Sequence, residues 1–246
     1  MKRFLGFLSA VALSTAMYAT PAQAQIPPEY GPLLKKYVSD RGVNYAAWKA
    51  NAADMAAIKK VVDAIARASA STAASPEQLA FHLNAYNAWI LHQKLAAYPN
   101  EMSPGMLTFI LPYFKRKQIT VAGEQMSFNQ LESDVIRPRF KDPRIHFALN
   151  CASISCPPLF NEPFDAKKLN SQLDGLAKRF VNSDRGVRLA ADGKSVQLSK
   201  IFDWYKEDFA PAGGPVAFIN KFRTQKIPAT AKVGFQDYSW KLNDAK

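Results

Sequence analysis

"EQLAFHLNAYNAWILHQKLAAY", residues 77–98, can be placed in only one kind of surrounding. Leu79, Leu83, Tyr86 and Ile90 recur at helical spacing and mark one face, while Phe81, Ala85, Ala88 and Trp89 fill most of the remaining circumference. A helix that is apolar all the way round has no side to present to water, so it belongs inside a domain. Ser75 and Pro76 suit the N-cap and the first helical position, and Pro99 ends the pattern. Asn84 and Asn87 lie three apart on one side of this apolar rod. A buried amide left without partners costs on the order of 1–3 kcal/mol. The two are therefore expected to hold another backbone segment in place or to line a polar cavity.

The neighbouring segments supply what such a helix packs against. "PPEYGPLLKKYV" (27–38) reads as a short helix, and "NYAAWKANAADMAAIKKVVDAIARASA" (44–70) repeats Trp48, Met55, Ile58, Val62 and Ile65 at helical spacing. "SPGMLTFILPYF" (103–114) is a short apolar helix or turn, and "KQITVAGEQMSF" (117–128) alternates like a hairpin around Gly123. Ser127 with Gln130 forms a capping box that starts "FNQLESDVIR" (128–137), which Pro138 ends. Asp165 can cap "AKKLNSQLDGLAKRFV" (166–181), and an Asp-Gly turn at 192–193 joins two short strands. "KIFDWYKEDF" (200–209), with Ser199 as its cap, and "GGPVAFINKFR" (213–223) are short helices, and "AKVGFQDYSWKLN" (231–243) reads as a strand. Long helices come first and short strands mostly later. That order predicts an α+β fold, a single domain in which buried N-terminal helices pack on a small, mainly antiparallel sheet.

"MKRFLGFLSAVALSTAMYATPAQA" (1–24) has a basic start, an apolar run and small residues at alternate positions before Ala24. It reads as a secretory signal cleaved after Ala24, leaving 25–246 as one domain that is periplasmic or secreted. The apolar run is too short to span comfortably and no later stretch reaches roughly 18 apolar residues, so no stable membrane insertion is expected after cleavage. Net charge is +12, but the lysines are scattered, with "KRK" at 115–117 the longest basic block. That describes a solvated basic surface suited to an acidic envelope component, and no nucleic acid is expected. No phosphate loop, dinucleotide fingerprint or G-x-S-x-G elbow occurs, so no cofactor is implied.

Both cysteines and one of the three histidines fall in "RIHFALNCASISCPPLF" (144–160). Read as a strand, 144–150 turns Ile145, Phe147 and Leu149 to the core and puts His146 and Asn150 on the other face. Two serines and two prolines then prevent the strand from continuing, and a turn can bring Cys156 back beside Cys151 or His146. Several chemistries stay open. An exported chain meets an oxidising compartment where Cys151 and Cys156 can form a disulfide, one that shapes the loop more than it stabilises the fold. A thiol nucleophile is the second, with His146 as base, Glu132 orienting the imidazole and Asn150 aiding an oxyanion. If Pro157 starts a helix, its dipole further lowers the Cys156 pKa. Two cysteines and one histidine fall short of a closed zinc site, so no metal is expected; two free buried thiols complete the set. His82 and His92 lie about 15 Å apart along their helix and cannot share a metal.

"LNAYNAWILHQKL", "FNQLESDVIRPRFKDPRIHFALNCASISCPPL", "LSKIFDWYKEDF" and "YSWKLN" together resemble the family called domain of unknown function 547, from roughly Tyr30 to Asn243. The family pattern falls on Asn84, Tyr86, Asn87, Glu132, Arg137, His146, Cys151, Cys156 and Pro157, and later on Trp204, Tyr205, Asp208, Phe209, Tyr238, Trp240 and Asn243. One departure is Ser239, where members often carry Asp. The resemblance implies an exported or envelope protein. It also extends to plant members of a reducing cytosol, which favours a thiol role over a purely structural bridge. The candidate site is then His146, Cys151, Cys156 and Glu132 as catalytic groups, with Asn84, Asn87, Asn150 and Arg137 around the substrate. The implied activity is thiol-dependent hydrolysis or transfer at an amide or ester. The alternative is a non-enzymatic binding domain whose loop is shaped by a Cys151–Cys156 disulfide.

Overall fold

The structure is a computed structural model that describes residues 26–99 and 112–245. Residues 1–24, read from sequence as a secretory signal, and all but the last residues of 103–114 lie outside the described residues; 112–115 form a helical turn.

Three helices lead to the buried rod: α1 (Tyr30–Tyr37), α2 (Tyr45–Ala50) and α3 (Ala52–Arg67). The alanine-rich stretch breaks in two because the Asn51 side chain accepts from the Asp54 N–H and caps α3. α4 (Pro76–Ala97) follows, capped by the Ser75 hydroxyl, with Pro76 in its first turn. Its buried residues run round the whole circumference and include Gln78, His82, Asn84 and Asn87 as well as the apolar set. α3 and α2 pack against it.

The strands are short. β1 (Val38–Ser39) pairs with β2 (Gly42–Val43), and β3 (Ile119–Val121) with β4 (Glu124–Met126), both antiparallel. The turn of the second hairpin has positive φ at both Ala122 and Gly123, the geometry that matches strand twist. The N–H groups of these two residues donate to Ile65 and Ala66 O, satisfying carbonyls at the C-terminus of α3. After α7 (Leu169–Val181), β5 (Val187–Leu189) and β6 (Ser195–Leu198) form the Asp-Gly hairpin, and β7 (Lys232–Phe235) joins β6 in parallel. Between the two hairpins, α5 (Phe128–Gln130), a π-helical turn (Leu131–Ile136) and α6 (Arg137–Phe140) run on as one helix, opened by the Ser127–Gln130 capping box. α8 (Ile201–Trp204), α9 (Lys206–Phe209) and α10 (Pro215–Phe222) lie between β6 and β7. Beneath them Phe147, Phe180, Phe202, Phe209 and Phe218 pack ring against ring. The class is α+β in one compact domain, with mainly antiparallel pairings and β6–β7 the parallel exception.

Three local expectations need correction. Residues 144–150 are not a strand. Asp142 accepts from the Arg144 N–H at 2.9 Å, Pro143 takes the first turn, and Pro143–Phe147 wind as a 3-10 helix. Ile145, His146, Phe147 and Ala148 are all buried, so alternation does not sort them. No helix starts at Pro157; the chain is irregular until the turn before α7, and no dipole acts on Cys156. Asp165 caps that turn through the Lys167 N–H rather than α7 itself.

Candidate active site

The asparagines do the positioning. Asn87 Nδ2 donates to Ala148 O at 2.9 Å and its Oδ1 accepts from the Asn150 N–H at 3.0 Å, so α4 grips the chain on its way into the cysteine loop. Asn84 makes the same paired contact with Phe164, at 2.9 Å in both directions. Asn150 Nδ2 donates to Pro157 O at 2.7 Å, and its Oδ1 accepts from the Ala152 N–H at 2.8 Å. The three amides are thus committed mainly to backbone, and none is among the side chains that line the cleft at the cysteines. Ala152 is held at φ +63°. A left-handed alanine costs about 1–2 kcal/mol, and the amide clamps hold it there. That turn folds the chain back and sets Cys156 beside Cys151.

Both cysteines are free, Cys151 half-buried and Cys156 buried. Their sulfurs are 2.7 Å apart. The Cys151 N–H donates to Cys156 Sγ at 3.1 Å, while Cys151 Sγ meets Ser153 Oγ at 3.3 Å and the Tyr238 hydroxyl at 3.2 Å. Burial acts to raise the Cys151 thiol, but its hydrogen bonds with Cys156, Ser153 and Tyr238 outweigh it and bring the pKa down to about 6. Cys156 moves the other way. Burial pushes it well up, and its bond to Cys151 pushes it further. One sulfur is therefore the thiolate and the other its hydrogen-bond donor.

Among the hydrogen bonds of the described residues, none joins His146 to either sulfur; its Nε2 meets Asp208 Oδ2 at 2.7 Å. Arg137 grips the same carboxylate in a two-pronged contact, Nε to Oδ2 at 2.7 Å and Nη2 to Oδ1 at 2.9 Å. The bond to His146 is the main cause that holds the Asp208 carboxyl far below the usual range, with Arg137 adding to it against partial burial. Tyr205 stacks on the imidazole at 3.9 Å, and the Arg137 guanidinium lies 5.0 Å from the same ring. The carboxylate that hydrogen-bonds the imidazole is thus Asp208 rather than Glu132. The π-turn brings this about. Residues five apart on an α-helix are rotated by about 140°. In the i→i+5 turn, where the Arg137 N–H donates to Glu132 O, they come round to one side. Glu132, Ser133 and Arg137 all line the cleft as a result.

That cleft, about 450 Å³, is shared by Cys151, Cys156, His146, Glu132 and Arg137. One wall is aromatic. Trp204, Tyr238 and Trp240 pack with ring centroids 4.6–5.8 Å apart, and Trp204 is 47% exposed. Asp208, Ser153 and the aromatic wall were not chosen from sequence as site residues. The exposed tryptophan in a short helix, "DWYKEDF", was the available signal, because solvent-facing aromatics beside a cleft mark binding surfaces. Among the described residues no group of three or more His, Cys, Asp or Glu side chains is placed to hold a metal ion.

Fold and site together define an α+β thiol domain, with a cysteine pair and an imidazole–carboxylate–guanidinium chain on one cleft. Residues 70–181 match the family model described as "Protein of unknown function, DUF547", which shows the resemblance over that segment. The match includes both cysteines, His146, Glu132 and Arg137, and stops before Asp208 and the aromatic wall. No curated protein and no solved structure matches the chain.

Proposed function

We propose that this protein is a thiol-dependent hydrolase or transferase that acts on an amide or ester in the cell envelope, with Cys151 as its nucleophile. The observation that carries this reading is the Cys151 sulfur at the cleft, whose contacts with Cys156, Ser153 and Tyr238 favour its thiolate. The thiolate needs no base in contact. It attacks the acyl carbon and forms a thioester, and the leaving amine or alcohol takes a proton. His146 shares the cleft. With its Nε2–H donated to Asp208, its Nδ1 is the ring's free acceptor for that proton traffic once a substrate spans the space. The envelope assignment rests on the secretory reading of residues 1–24; among the described residues no helix is long and apolar enough to cross a membrane.

The test is acylation by a p-nitrophenyl ester, read as a burst of nitrophenol and as an acyl mass on the intact chain. The expected result is one acyl group mapped to Cys151 and lost in Cys151→Ala. Acylation that survives Cys151→Ala, or none at all, refutes the assignment. A second reading, a binding domain whose loop is closed by a disulfide, draws on the contact between the two sulfurs. It predicts no alkylation of either cysteine without a reductant.

A further inference from the structure

Acyl transfer uses one thiol, and this cleft holds two in contact. Cys156 forms no bond to the acyl group and only supports the thiolate, yet the loop is built to hold it beside Cys151. Ala152 is held left-handed, Asn150 bonds to Pro157 O beyond it, and Arg185 donates to Cys156 O at 3.2 Å. The two residues differ in exposure as well as in surroundings. A molecule entering the cleft meets the half-buried Cys151, whereas Cys156 is only 5% exposed. A more accessible attacking thiol with a buried second thiol in contact is an arrangement that suits thiol–disulfide exchange.

We propose that Cys151 and Cys156 act as an attacking and a resolving thiol, so that the cleft reduces a small or peptide-borne disulfide to two thiols while the pair closes to its own disulfide. It shares the Cys151 thiolate with the acyl reading but does not depend on acyl transfer. The Cys151 thiolate attacks one sulfur of the disulfide R–S–S–R, forming Cys151–S–S–R and expelling RS⁻. The Cys156 proton passes to that leaving thiolate. The Cys156 thiolate then attacks the Cys151 sulfur, forming the Cys151–Cys156 bond and expelling the second RS⁻, which takes a proton from water in exchange for the one Cys151 had released on ionising. The foreign disulfide gains two electrons and the chain loses two. A cleft of about 450 Å³ admits a disulfide of this size, within the range of small-molecule sites.

The experiment treats the reduced, desalted full chain with excess 2-hydroxyethyl disulfide at neutral pH, following released thiol and intact mass. The wild-type chain should release two thiols per molecule and end two hydrogens lighter, with no adduct. Cys156→Ser should release one thiol and keep a mercaptoethanol adduct on Cys151, more slowly because a donor to the thiolate is altered. A wild-type chain that releases one thiol and retains the adduct overturns the proposal. If Cys156→Ser does not fold, Cys156→Ala replaces it, and the wild-type stoichiometry decides alone. A chain that acylates normally but fails this test loses the exchange activity only. One inert to both reagents loses the thiolate on which both readings stand.

Discussion

Cys151 owes its thiolate to donors rather than to a cation. The Ser153 hydroxyl donates to the Tyr238 hydroxyl at 2.8 Å, leaving the Tyr238 proton free for the sulfur, and Cys156 supplies another. A hydrogen bond to a charged group is worth about 1.5–3 kcal/mol, and about 1.4 kcal/mol is one pKa unit. Iodoacetamide should therefore modify Cys151 with a rate that rises with pH through a midpoint near 6, below the ordinary thiol value of about 8.5. Below that midpoint the sulfur is protonated and the rate falls. Tyr238→Phe, which removes one donor, should move the midpoint up by about one to two pH units. An unchanged midpoint would show that Tyr238 does not hold the thiolate. The importance of these thiols was legible in a chain with two cysteines and three histidines. Their partners were not, because Tyr238 lies 87 residues beyond Cys151, and Asp208 lies 62 beyond His146. Nothing local in "YSW" or "KEDF" says which loop each will meet.

The rod α4 was legible because all-round apolarity has only one stable placement, and its two asparagines followed from the cost of buried amides. The 3-10 helix at Pro143–Phe147 was misread because alternating apolar residues suit a strand. The Asp-Pro pair just before it is a helix-start signal and outweighs that alternation. The π-turn leaves no mark in "LESDVI", since an i→i+5 turn shares its residue preferences with the helix around it. Asn87 and Asn84 grip different segments, and that difference can be measured. Asn87→Ala and Asn84→Ala should each lower stability by about 1–3 kcal/mol in urea unfolding, since each orphans buried backbone groups. Only Asn87→Ala should also change the rate of Cys151 alkylation, because Asn87 holds Ala148 and Asn150 while Asn84 holds Phe164. Equal effects on alkylation would mean that the cysteine loop is not positioned by Asn87 in particular.

The cysteine loop is tied to two segments far apart in sequence, residues 42–45 and 241–245. Asn243 is the joint. Its N–H donates to Ala152 O, its carbonyl accepts from the Val43 N–H, its Oδ1 accepts from the Tyr45 hydroxyl at 2.9 Å, and its Nδ2 reaches Asn150 Oδ1 at 3.3 Å. Next to it the Ile154 N–H donates to Lys241 O at 2.9 Å. The N-terminal hairpin, the cysteine loop and the last residues therefore share one hydrogen-bond network. Gly42 is part of the fit. It has φ +138°, and a Cβ there would lie 2.1 Å from Asn243 O, so only glycine lets the hairpin approach this closely. The family match ends at residue 181, but Tyr238 and Trp240, which line the cleft, and Asn243, which bonds to Asn150, come after it. Asn243→Ala leaves the buried Tyr45 hydroxyl without its acceptor and Asn150 without one donor, so it should cost about 1–3 kcal/mol in urea unfolding. Because the network is shared, amide exchange at Val43 and at Ile154 should quicken together in this variant, although the two residues are far apart in sequence. Faster exchange at Val43 with Ile154 unchanged would show that the hairpin and the cysteine loop open independently, and that Asn243 does not join them.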